Sequence, residues 1–186
     1  MLIEPQKDAV LARYAEGLPQ VVWTTLVADL ETPVSAMLKL SRNEEHCFLL
    51  ESVEGGAVRG RYSIIGMDPD LVFKTVADTA WSGSADDLAN NTLTRLDKPS
   101  LQALPMAAGM FGYLGYDNVR LMEHLSEPGP DPLGLSDTLL IRPQMIVIFD
   151  NIKDEITLIT PLRPDKHVAA ENAYSRALDR LTRVMD

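Results

Sequence analysis

A carboxylate and a hydroxyl stand side by side at Glu51-Ser52, closing the apolar run Cys47-Phe48-Leu49-Leu50. Arg61-Tyr62-Ser63 opens what reads as the partner strand. A strand end with a carboxylate and a hydroxyl over a nonpolar wall can hold a small zwitterion. The carboxylate pairs with the ammonium, and the hydroxyl or exposed backbone groups give direction. The competing reading is a surface ion pair between Glu51 and Arg59 or Arg61, and residue types alone favour that pair.

Other chemistries find less support. His46, His124 and His167 stand at no metal-ligand spacing to one another or to Cys47, which argues against zinc. No Gly-x-Ser-x-Gly elbow and no Gly-Lys-Ser/Thr phosphate loop is present. Gly55-Gly56-Ala57-Val58-Arg59-Gly60 has neither glycine spacing of a nucleotide loop and reads as a mobile hairpin loop. Gly109 to Gly115 reads as backbone packed closely in a core, where glycine permits close approach or unusual dihedrals. Asp86-Asp87, Asp68 with Asp70, and Asp154-Glu155 read as solvated turn residues rather than acid–base pairs. The single cysteine, Cys47, leaves no internal disulfide and reads as a buried thiol beside Phe48 and Leu49.

The elements that would position these groups follow from periodicity and punctuation. Leu2 to Gly17 reads as a helix with Leu11, Tyr14 and Ala15 on one side, ended by Gly17 and Pro19. Val21 to Ala28 is β-branched and reads as a strand. Thr32 caps a helix with Pro33 in its first position, where no amide donor is lost. Strands are expected at His46–Ser52, around Tyr62–Ile65 and at Leu71–Val76. Asp78 to Pro105 reads as a variable connection with a short helix near Leu88–Leu96, and a helix runs from Gly115 to Leu121. The prolines and glycines of Glu127 to Asp137 make an ordered loop or linker. Gln144–Phe149 and Ile156–Thr160 form a hairpin through the polar turn Asp150–Glu155. Pro164 opens a last helix with Asp165 in its first turn, and Val168, Tyr174, Ala177, Leu178, Leu181 and Val184 or Met185 on one face. Its stripe is still running at Met185-Asp186, which suggests that more chain follows.

The expected class is α+β, with two packed antiparallel sheets and flanking helices. The chain divides into a helical segment (1–20), a main domain (21–163) and the start of a further helix (164–186). Its 186 residues can bury a core without staples. A net charge of −10 argues against nucleic acid as a partner. No apolar run of about 18 residues or more offers a membrane span, and the start of the chain resembles neither a signal nor a transit peptide. The cytoplasm is the expected location.

Several stretches together resemble a known family. They are Leu30-Glu-Thr-Pro-Val-Ser-Ala36, Phe48-Leu-Leu-Glu-Ser52, Gly60-Arg-Tyr-Ser-Ile-Ile-Gly66 with Asp68-Pro69, Gly109-Met-Phe-Gly-Tyr-Leu-Gly-Tyr-Asp117 with Val119-Arg120, and Phe149-Asp-Asn-Ile-Lys153. In this order, from about residue 21 to 160, they are similar to the N-terminal region of the anthranilate synthase large subunit. The resemblance implies a lyase of tryptophan biosynthesis that converts chorismate to anthranilate with Mg²⁺ and ammonia. A glutamine amidotransferase subunit supplies the ammonia, and tryptophan inhibits. Chorismate and Mg²⁺ residues belong to a larger C-terminal domain whose motifs are absent here. The fold would be incomplete without that chorismate-binding domain, and this piece alone is expected to be inactive, with no catalytic residue, metal ligand or cofactor of its own. Leu50, Glu51 and Ser52 would contribute to the tryptophan pocket: Glu51 toward the ammonium, Ser52 beside it and Leu50 toward the indole. Arg61, Tyr62 and Ser63 would support the strand pair. Self-association through exposed apolar surface is expected of the isolated piece. The alternatives are the aminodeoxychorismate synthase large subunit, a free-standing amino-acid-binding module, and a domain that only docks the amidotransferase.

Overall fold

The computed structural model describes residues 2–43, 45–54, 58–77, 79–96, 109–126 and 129–185. In chain order these form α1 (Lys7–Ala15), β1 (Gln20–Val27), α2 (Pro33–Leu40), a 3₁₀ turn, β2 (Phe48–Glu54), β3 (Val58–Val76), β4 (Thr79–Gly83), α3 (Ala85–Ala89), β5 (Thr94–Leu96), β6 (Phe111–Leu114), a second 3₁₀ turn (Tyr116–Leu121), β7 (Thr138–Asp150), β8 (Glu155–Leu162) and α4 (Ala170–Met185). Two compact units result, Met1–Asp68 with Gln144–Asp186, and Pro69–Pro143. The class is α+β with antiparallel pairing, as the patterning implies. Separate sheets do not form, however. β3 and β7 are long strands with residues in both units, so the strands belong to a single hydrogen-bonded sheet.

In the first unit the strands run β1-β8-β7-β3, with β2 also on β3. Strand alternation builds the core. Met145, Val147 and Phe149 of β7 and Ile156, Leu158 and Leu162 of β8 are buried, and the residues alternating with them are only partly so. Helix α4 packs on β8 and α1. Its Tyr174, Ala177 and Leu181, spaced three and four apart, are its buried stripe. Val10 and Tyr14 of α1 join them. Several polar groups here are partnered, although Gln20 Oε1 of β1 is not. The Thr24 hydroxyl donates to the Leu2 carbonyl at 2.8 Å. Arg180 donates to the Thr160 hydroxyl at 2.8 Å and to Gln144 Oε1 at 2.9 Å.

Thr32 accepts from the Ser35 amide at 3.1 Å, and the Ser35 hydroxyl accepts from the Thr32 amide at 2.9 Å, so α2 begins where the Thr-Pro pair predicts. The last helix does not. Pro164-Asp165 precedes it by a full turn, because the Asp165 carboxylate accepts from the His167 amide at 2.8 Å and bends the chain back. The Asp165 amide is taken by the Tyr14 hydroxyl at 3.1 Å.

In the second unit β4 pairs with β3 and β5, while β6 pairs with β7. Here the polar connection expected from Asp78 contains, in residues 79–96, two strands and the helix Ala85–Ala89. That helix lies earlier than Leu88–Leu96 because Ser84 and Asp87 cap it reciprocally. The rest of the connection, to Pro105, lies outside the described residues. The strands expected at Tyr62–Ile65 and Leu71–Val76 are one strand, with Gly66 and Pro69 inside it. Asp68 and Asp70 also sit in that strand rather than in a solvated turn. Asp70 is held by Arg142 at 2.6 Å within the second unit, and Asp68 by Arg183 at 2.8 Å within the first. The helix expected from Gly115 to Leu121 is a 3₁₀ turn, Tyr116–Leu121, pinned by the Asn118 side-chain amide on the Gly115 and Asp137 carbonyls at 2.9 and 2.7 Å. No helix among the described residues is long and apolar enough to cross a membrane.

Candidate functional site

Among the described residues β2 pairs with β3 alone. Leu50, Glu51 and Ser52 lie on β2 and are exposed, Leu50 to 50%. The strand continues two residues past Ser52, to Glu54. Alternation puts Glu51 on the side of Leu49, which packs against the core, and puts Leu50 and Ser52 on the opposite side. The two polar side chains therefore share the strand edge rather than one face. A ligand meets both only by approaching that edge.

The pairing of β2 with β3 is irregular at this point. Phe48 to Glu51 run opposite Gly66 to Ser63, but Val53 stands opposite Arg59. Three residues of β3, Gly60, Arg61 and Tyr62, thus face the single residue Ser52, a β-bulge two residues deep. A side chain at position 60 would overlap Ser52, so only glycine fits there. Gly66 likewise leaves room for the ring of Phe48.

The other expected residues divide. Ser63 is buried opposite Glu51, and Tyr62 is 44% exposed. Arg61 does not pair with Glu51. It makes a two-pronged ion pair with Asp150 at the end of β7, its Nε 3.1 Å from both carboxylate oxygens and its Nη2 2.8 Å from Oδ2. The guanidinium also lies over the Tyr62 ring, 4.9 Å from its centre. Asp150 accepts from the Ile152 and Lys153 amides as well, so it shapes the β7–β8 turn. The Asn151 backbone amide donates to the Arg61 carbonyl at 2.8 Å, and its side-chain amide to the Gly60 carbonyl at 2.9 Å. Asp150 and Asn151 are absent from the residues that sequence reasoning selects. Their contacts span 89 and 91 positions of chain, and only the similarity of Phe149 to Lys153 to a family segment marks them.

A cavity of about 610 Å³ lies beside this pair, between Pro33 at the start of α2, Arg61, and the β7–β8 turn. A second, about 670 Å³, has an apolar lining that includes Leu40, Val147 and Val184, with Arg42 and Arg183 also lining it. Leu50, Glu51 and Ser52 line neither. Among the described residues no three His, Cys, Asp or Glu side chains converge to hold a metal ion. Cys47 is half-buried and packs against the core. Gly55 to Ala57, expected as a mobile loop, lie outside the described residues.

No protein-family model matches the chain. The protein is 40% identical over 189 residues to anthranilate synthase component 1 of Cereibacter sphaeroides, across 89% of this chain and 36% of that protein. The corresponding protein of Pseudomonas aeruginosa is 37% identical over 175 residues, across 86% of this chain and 35% of its own length. The chain is homologous to a part of anthranilate synthase component 1. It spans about a third of the length of the curated relatives it matches. The crystal structure of anthranilate synthase component I from Streptococcus pneumoniae superimposes with a TM-score of 0.51 at 18% identity, covering 87% of this chain and 36% of that one. This likeness carries the fold. The anthranilate synthase resemblance of Phe48–Ser52 and Gly60–Gly66 thus falls on two paired strands, and that of Phe149–Lys153 on the turn that grips them.

The grip has a pH dependence. Arg61 first, then the Ile152 and Lys153 amides, hold the Asp150 carboxyl down to about 2, against an ordinary 3.8. The folded value lies below the unfolded one. The contribution of the pair is therefore complete above roughly pH 5 and is lost as pH falls toward 2. Asp150→Asn removes it. The difference in urea midpoint between parent and variant should be constant from neutral pH to about pH 5, then narrow steadily in more acid solution. A constant difference down to pH 2.5 would show that the ion pair contributes nothing.

Proposed function

We propose that this chain is the N-terminal regulatory and scaffold part of an anthranilate synthase component I. The complete enzyme would convert chorismate and ammonia to anthranilate and pyruvate, with a glutamine amidotransferase partner. The observation that carries the reading is the exposed stretch of β2, bearing Leu50, Glu51 and Ser52, in a chain 40% identical to such a component. A strand edge suits an amino acid. Its backbone amides donate to the carboxylate of the ligand, the Glu51 carboxylate takes the ammonium, and Leu50 gives apolar contact. Tryptophan is the ligand we assign, with Ser52 adding a hydroxyl and Arg61, Tyr62 and Ser63 holding the partner strand. Chorismate and Mg²⁺ would be bound by the remaining two-thirds of the polypeptide. The residues described here do not fit a Mg²⁺ site. Inhibition follows if tryptophan favours an inactive state, and it can shift the balance only by its difference in affinity between states.

The test uses the complete component I polypeptide with chorismate, Mg²⁺ and ammonia, titrated with tryptophan. A hydrogen bond to a charged group contributes about 1.5–3 kcal/mol. Glu51→Ala should therefore raise the inhibitory tryptophan concentration by about 10- to 150-fold. Ser52→Phe, which puts a large ring in place of the hydroxyl on β2, should abolish inhibition. Turnover without tryptophan should persist in both. Parallel loss of turnover and inhibition would sink the assignment.

A further inference from the structure

The bulge opposite Ser52 is not dictated by hydrophobic patterning. From Phe48 to Glu51 the β2 and β3 partners follow one register, and at Val53 they follow another displaced by two residues. A one-residue slip would exchange the faces of the sheet, but a two-residue slip keeps every side chain on its own side. β3 could therefore pair with the end of β2 in continuous register, with Tyr62 opposite Ser52, at no cost in burial pattern. Something outside the two strands must fix the choice. The described contacts supply it. From the β7–β8 turn, consecutive residues Asp150 and Asn151 hold consecutive residues Gly60 and Arg61 through the two-pronged ion pair, the Asn151 backbone amide and the Asn151 side-chain amide. A tight turn between two strands needs no side-chain contact to a third. Asn151 is exposed, yet both of its amide donors point at this one segment.

We infer that Asp150 and Asn151 are positioning residues that lock the two-residue excess of β3 in place and so set where Ser52 sits on the β2 edge. The inference rests on the effector reading above for its consequence, but not for its geometry. Removing the lock lets β3 take the continuous register. Gly60 then leaves Ser52, Tyr62 moves opposite it, and the edge loses the shape that a ligand would read. The core, built from α1, α4, β1, β7 and β8 with Ile65 and Met67 of β3, lies outside the segment whose register changes.

Two measurements on Asn151→Ala decide it. In this chain, backbone hydrogen exchange should quicken at least about tenfold across residues 58–63 while the amides of α1 and α4 keep their protection. Unchanged exchange at 58–63, or equal acceleration everywhere, overturns the lock whatever the ligand is. In the complete component I polypeptide the inhibitory tryptophan concentration should rise at least about tenfold, with kcat and KM for chorismate unchanged, a split that general destabilisation would not produce. Ser52→Phe run alongside separates the two ideas. If it abolishes inhibition while Asn151→Ala leaves inhibition intact, the lock is wrong. If Ser52→Phe remains fully inhibited, the effector reading is wrong and the exchange result alone judges the lock. Should Asn151→Ala not accumulate as folded protein, Asp150→Asn, which keeps the side-chain size, takes its place with the same outcomes.

Discussion

Leu181→Ala is expected to lower the stability of the chain by about 2–5 kcal/mol, the range for emptying a leucine site in a packed interior. Leu181 is fully buried on α4, in a cluster with Val10 and Tyr14 of α1 and the inner faces of β7 and β8. A 16-residue helix has little stability of its own in water, so its place depends on this stripe. The alanine also leaves a cavity that strands on one side and a helix on the other cannot easily close. In urea the midpoint should fall with little change in slope. By heat, Tm should drop on the order of 5–15 °C for a domain of this size. Thr182→Ala, one position on and exposed, should stay within about 0.5 kcal/mol. A cost below about 1 kcal/mol at Leu181 would mean that α4 is not seated on the sheet as described.

Gly112→Val should be comparably severe, by a different mechanism and in the second unit. Gly112 lies in β6 with φ of 153°, a region that side-chain-bearing residues rarely adopt, and a Cβ there would run into the Leu139 carbonyl. The obstacle is backbone of the paired strand, which cannot rotate aside. Strain of this kind costs about 1–3 kcal/mol, and the overlap adds to it by forcing β6 away from β7. The expected result is a loss of about 3 kcal/mol or more in denaturant, with hydrogen-exchange protection vanishing from Phe111 to Leu114. Gly129→Ala is the contrast, since nothing lies within 4 Å of its added carbon. It should change stability by less than about 0.5 kcal/mol. Retained β6 protection in Gly112→Val would contradict the β6–β7 pairing.

These two sites also show what the sequence made legible. The Leu181 stripe could be read from its spacing, and so could the β7–β8 hairpin from two apolar strand-like runs about a polar turn. Gly109 to Gly115 declared a close backbone approach, which Gly112 makes against Leu139. Punctuation misled in two places. Gly66 and Pro69 look like breaks but lie within β3, where Gly66 accepts the Phe48 ring. Pro164-Asp165 looks like a helix start, but the Asp165 side chain makes a turn first. β4 and β5 were hidden because five- and three-residue strands with Ser and Arg among them leave no alternation to read. At the site, Glu51-Ser52 announced itself through residue type. Its geometry did not. Which face each side chain takes, the bulge at Ser52, and the partner of Arg61 all depend on pairings between distant parts of the chain, and no local pattern encodes them.

Among the described residues no second strand pairs with β2, and this has a consequence for colloidal behaviour. A row of open amides and carbonyls is a template on which another polypeptide can grow as an added strand. Glu51 stands in that row, and two copies docking there would bring like charges together, which discourages but does not forbid such growth. An occupant lying along the row removes the template. Saturating the flank with a small molecule and resisting ordered aggregation should therefore rise together, with no change to the interior of the protein.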